Sequence, residues 1–100
     1  MVLTLRVQVF LSLQRAFWDL VTPNLRGVAV RILEDRVLVR VIFENDPNDE
    51  DLENMSEAET YAIADFSDDV TVLFDADWVP TSEPRELMAD EEWVYLRKEA

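Results

Sequence analysis

Carboxylates are the only side chains plentiful enough in this chain to carry acid–base chemistry. Its 100 residues hold 22 Asp and Glu but no histidine and no cysteine. That excludes thiolate nucleophiles, disulfides and zinc–thiolate sites, and it removes the usual general base at neutral pH. Two carboxylate pairs stand at spacings that hydrolysis could use: Glu53 with Glu57 on a helix, and Asp75 with Asp77 on one side of a strand. No pocket signal accompanies either pair, and exposed acids on regular structure account for both. From Asp46 to Glu57, oxygen side chains fall at positions 1, 3, 5 and 12 of a calcium-loop frame. Position 6 is Asp51 where the turn needs glycine, and position 8 is Glu53 where an apolar residue packs. An acid-rich helix N-terminus is the better reading. The single glycine, Gly27, excludes a phosphate loop, a dinucleotide fingerprint and a nucleophile elbow. No catalytic residue, metal or cofactor is therefore expected, and the chain reads as a non-enzyme.

The acid is unevenly placed. Glu44 to Glu92 carries eighteen carboxylates and one base, Arg85, whereas the residues before Glu44 carry three acids and six arginines. The formal charge of -13 thus sits in the second half. Such a field attracts a basic protein partner and repels nucleic acid and anionic membrane. The arginines Arg31, Arg36 and Arg40 share one hairpin, where they balance neighbouring acids. Nearly half the residues are apolar, which makes this one folded domain of residues 1–100 with an acidic coat. The apolar N-terminus is interrupted by Arg6 and Gln8 and lacks a small-residue cleavage site, so it reads as part of a cytoplasmic fold.

The elements that must position these acids follow from periodicity. Leu3, Leu5, Val7 and Val9 alternate like a strand, yet Thr4, Gln8, Ser12, Arg15 and Asp19 form a helical polar stripe. With no breaker before Trp18, a continuous helix from about Leu3 to Leu20 is expected, its broad apolar surface calling for cover such as a second copy would give. Val28 to Ile32 and Val37 to Phe43 form a β-hairpin around Glu34-Asp35, a turn without glycine and so with room for one more residue. Asp46 is expected to cap a second helix with Pro47 at its first position, burying Leu52, Met55, Ala58 or Glu59, Ala62 and Phe66, and exposing Asp49, Glu50, Glu53 and Glu57. Ser67-Asp68-Asp69 closes it. A strand from Val70 to Val79, a polar loop from Pro80 to Glu91 and a short strand from Trp93 to Leu96 complete the chain. The class is α+β, in the order α-β-β-α-β-β. Two helices should cover one face of a four-stranded, mainly antiparallel sheet, like a permuted ferredoxin-like domain. Core residues should include Val30, Val39, Val41, Leu52, Met55 and Val72. Trp18 is expected in the core, while Trp78 and Trp93 flank the acidic loop and stand between core and binding rim.

The stretches LSLQRAFWDLVTPNLRGVAV (Leu11 to Val30), ETYAIADF (Glu59 to Phe66) and EEWVYLRKEA (Glu91 to Ala100) resemble a group of small acidic bacterial proteins of uncharacterised function. The similarity covers most of the chain after its first ten residues. Some small acidic bacterial proteins of this size are immunity proteins, so the resemblance implies an immunity-like class. Charge adds a mechanism: nuclease toxins are basic where they bind phosphate, and an acidic module can occupy that field and associate fast. The contact residues would be Asp49, Glu50, Glu53 and Glu57, with Trp78, Glu83, Glu86 and Trp93 around the loop. The alternative is a structural or oligomeric domain whose acid only keeps it soluble, with a homodimer through the first helix. A carboxylate-dependent hydrolase is the remaining, weakest reading.

Overall fold

The computed structural model describes residues 4–99. Helix α1 spans Leu5–Ala16 and settles the choice between strand and helix for the segment from Thr4 onward; Leu3 lies outside the described residues. Thr4 caps it, its Oγ1 accepting the Val7 N–H at 3.3 Å. The helix stops four residues short of the expected Leu20. Trp18 and Leu20 donate to the carbonyls three residues back, Arg15 and Phe17, which tightens the chain into a turn. That turn lets Phe17 point inward and stack on Phe74, with ring centroids 5.9 Å apart. It also lifts Trp18 into solvent at 83% exposure, so the expectation that Trp18 lies in the core fails. Ser12, expected on the polar stripe, is buried instead.

Strands β1 (Leu25–Leu33) and β2 (Arg36–Phe43) form the hairpin, with Val30 opposite Val39 and Val28 opposite Val41. Leu33 pairs with Arg36, so the turn holds only two residues, and Glu34 takes φ 54° without being glycine.

Helix α2 spans Asp49–Ala64, and its cap is Asn48 rather than Asp46, with Pro47 ahead of the helix. Asn48 Oδ1 accepts the Asp51 N–H at 2.8 Å, and Asp51 Oδ2 accepts the Asn48 N–H at 3.1 Å, a reciprocal capping box. Asp51 also accepts from Asn24 Nδ2 at 2.8 Å and is buried. This cap sets the helix phase. The inward stripe becomes Asp51, Met55, Ala58 and Ala62, and Leu52 turns outward at 41% exposure, against its expected place in the core.

Strands β3 (Thr71–Trp78) and β4 (Glu91–Leu96) complete one sheet in the order β3-β2-β1-β4. The pairs β1–β2 and β1–β4 are antiparallel, whereas β2–β3 is parallel, as the α2 crossover requires. The α+β class and the α-β-β-α-β-β layout are as expected. One detail departs from the ferredoxin analogy. A permuted ferredoxin-like sheet would insert β4 between β2 and β3, but here those two strands are neighbours and β4 lies at the edge.

Val9, Leu13, Ala16 and Phe17 from the first helical segment and Ala58 and Ala62 from α2 meet Val28, Val30, Val37, Val39, Val41 and Val72 in one core. Each helix also guards a sheet edge. Glu59 of α2 accepts the Phe74 N–H at 2.8 Å on β3, and Gln14 of α1 donates to the Val94 carbonyl at 2.9 Å, where β4 bulges. Glu59→Ala should therefore cost about 1 kcal/mol in urea unfolding and increase self-association, since it frees a strand-edge donor. An unchanged midpoint in a variant that remains fully dispersed would rule out the edge-guarding role. Among the described residues, no helix is long and apolar enough to cross a membrane.

Candidate functional site

Asp49, Glu50, Glu53 and Glu57 all lie exposed on the outer side of α2, as their helical spacing predicts. Asp49, Glu50 and Asp51 occupy the first turn, where the helix dipole favours negative charge. Only Asp51 is drawn inward, to the cap. None of the other four makes a hydrogen bond or ion pair within the described residues, so their charge faces outward. The same segment leaves no calcium-loop geometry, since Asp51 at the would-be turn position is committed to Asn48 and Asn24.

The acidic loop after β3 is organised differently, by arginines. Arg26 is 2% exposed and donates to the carbonyls of Val79, Pro80 and Glu83 at 2.7, 3.0 and 3.1 Å. Its remaining donors grip both oxygens of Glu99 at 2.9 Å. That fork, joined by Arg97 and Arg85, holds the Glu99 carboxyl down at about 2 despite its partial burial. Arg40 pairs with Asp77 and Glu91 and donates to the Glu86 carbonyl at 2.8 Å. Glu91 is accordingly held below its usual value, chiefly by Arg40. Arg85, the lone base of the acidic half, donates to the Arg26 and Arg97 carbonyls. The loop is stapled across the sheet face opposite the helices, which explains why Ala29 and Ile42 are fully buried although they point away from the helical layer.

Of the hairpin arginines expected to balance neighbouring acids, only Arg40 does so, with Asp77 and Glu91, while Arg31 and Arg36 form no ion pair among the described residues; Arg6 pairs with Glu92 and Arg26 with Glu99 across the chain. Asp77 is held by Arg40, whereas Asp75 stands exposed without a partner among the described residues. The sequence signal for these staples was the excess of arginine over acid in the first half. Their partners, up to 86 residues away, left no local trace.

The eight expected contact residues do not converge. Asp49, Glu50, Glu53 and Glu57 belong to the helical layer. The loop residues Glu83 and Glu86 are exposed on the opposite side, and Trp93 lies half-buried against Gly27, where an added Cβ would stand 2.9 Å from its ring. Trp78 ends edge strand β3, exposed, with its Nε1 donating to the Glu44 carbonyl at 3.1 Å. One flat partner surface cannot touch both layers. Nor do three or more carboxylates converge as a metal site among the described residues.

A family model described as MafI2 immunity protein matches residues 6–99. A search of curated proteins returns no match.

Proposed function

The chain belongs to the MafI2 immunity protein family, and from that premise we propose that it neutralises a basic, nuclease-type toxin by binding it in the cytoplasm, without catalysis. The observation that carries this reading is the unpaired acid on α2. Arg6, Arg26, Arg40, Arg85 and Arg97 are held by internal acceptors, which leaves Asp49, Glu50, Glu53 and Glu57 as four unpaired negative charges on one helix face of a chain whose net charge is -13. Exposed like charges on one helix face raise the encounter rate with a cationic surface while adding little to fold stability. The exposed Val7, Leu11 and Trp18, along one side of the first helical segment, support a second contact, between two copies of this chain. A monomer by light scattering removes that part.

The electrostatic reading is tested with a purified, catalytically inactivated nuclease-type toxin domain. Association should slow steeply with added salt, because exposed charges are screened within about 10 Å at 0.1 M. Changing Asp49, Glu50, Glu53 and Glu57 together to their amides should lower the association rate about tenfold or more at low salt and leave dissociation nearly unchanged. Thermal unfolding of the variant should change little, since the relieved repulsion offsets the lost dipole interaction of Asp49 and Glu50. An affinity indifferent both to salt and to this change would refute steering by α2.

A further inference from the structure

Opposite the helices, the sheet is only partly covered by the stapled loop. Between the loop and edge strand β3 lies an open depression of about 350 Å³, lined by Arg31, Leu38, Arg40, Leu73, Met88 and Glu91 among others. Its walls are mainly apolar. Leu73 is 51% and Met88 60% exposed, although Met88 is held in place by its N–H donating to Glu91 Oε1 at 2.7 Å and by a turn closed from Glu91 N–H to its carbonyl. Asp90 supports that turn at φ 65°, a conformation that Asp tolerates.

Two arginines line this depression, and they differ. Arg40 spends four of its donors on Asp77, Glu91 and the Glu86 carbonyl. Arg31 makes no hydrogen bond or ion pair among the described residues; it meets only the longer-range field of Glu91, and its Nε is buried without an acceptor. A half-buried guanidinium lacking an acceptor is costly, and an oxygen from a bound partner would relieve it. Around the apolar floor, Asp75 and Glu86 are exposed carboxylates with no paired cation among the described residues, and Asp90 stands on the same loop.

Building on the toxin-binding reading, we propose that this depression is the anchor for the toxin. Its occupant is a toxin segment that inserts an apolar side chain between Leu38, Leu73 and Met88 and presents an oxygen acceptor to Arg31. Basic residues flank that segment and face Asp75, Glu86 and Asp90. The acids of α2, on the other layer, then act through their field during approach, while the depression sets the lifetime of the complex.

The test measures binding of the same inactivated nuclease-type toxin domain to the full chain and to Leu73→Arg and Arg31→Met. Leu73→Arg should weaken binding by at least about 30-fold, as loss of a strong anchor does, through faster dissociation. Arg31→Met should weaken it by about tenfold without lowering the melting temperature, because it removes a buried donor that has no acceptor; a purely structural arginine would lower it. Binding by the unaltered chain with no loss in Leu73→Arg overturns the anchor and leaves the toxin-binding reading standing. No binding by the unaltered chain overturns both. If Leu73→Arg instead converts a dimer to a monomer and keeps toxin affinity, the occupant is a second copy and the proposal is wrong.

Discussion

Replacing Arg26 by methionine is expected to lower stability by about 3–5 kcal/mol, the usual cost of breaking a buried, hydrogen-bonded ion pair by removing one partner. Against a total stability of about 5–15 kcal/mol for a domain of this kind, that brings the fold near its limit. The melting temperature should fall by roughly 15 °C or more. The reason lies in what the guanidinium holds. Three loop carbonyls lose their donor together, while Glu99 loses its two bonds to Arg26 and keeps only Arg85 and Arg97. Arg26→Lys should rescue only part of the loss, since an ammonium cannot reproduce the planar fork. The pair Arg6–Glu92, exposed on both sides, is the contrast: Arg6→Ala should leave the midpoint nearly unmoved. Acid supplies an independent readout. The Glu99 carboxyl is depressed from 4.5 to about 2 in the fold, so its contribution is complete above about pH 4.5 and is lost as pH falls toward 2. In Arg26→Met that acid-dependent loss should shrink. An Arg26→Met variant with unchanged melting and an unchanged acid limb would show that the staple does not support the fold.

What the chain disclosed before its structure was known follows from the range of each interaction. The hairpin and the outward acids of α2 were legible because alternation and helical spacing act over a few residues. The inward face of α2 was misjudged by one position at Leu52, because the phase is set by the Asn48–Asp51 box rather than by hydrophobicity alone. Trp18 was misplaced for a related reason. The helix ends where Phe17 meets Phe74, a contact 57 residues distant that no local pattern announces. Strand order required knowing that β2 and β3 are direct neighbours across α2, which a list of elements leaves open. The candidate site divided in the same way. The α2 acids were found from spacing, whereas the depression at Leu73 and Arg31 arises only when β1, β2, β3 and the loop come together.

Val39→Asp should abolish cooperative folding or lower stability by about 4 kcal/mol or more, an exceptional value for one substitution. Val39 sits in the middle of β2, paired with Val30 on β1 and with Phe74 on β3, and is 2% exposed. Its side chain faces the helical layer, in the cluster that contains Leu13, Phe17 and Ala62. A carboxylate there would lose hydration and meet apolar neighbours in that cluster, so it must either remain buried without a partner or take up a proton at neutral pH. Either outcome is costly, and the next strand cannot adjust, because slipping the register by one residue would turn the apolar face outward. Val39→Ala, which removes only methyl groups, should cost about 2 kcal/mol and leave a cooperative transition. Val7→Asp, on an exposed position of α1, should change little. The three variants together separate burial from composition. If Val39→Asp melts cooperatively near the unaltered chain, β2 is not the centre of the core, and the sheet that positions both the acidic helix and the stapled loop must be assigned differently.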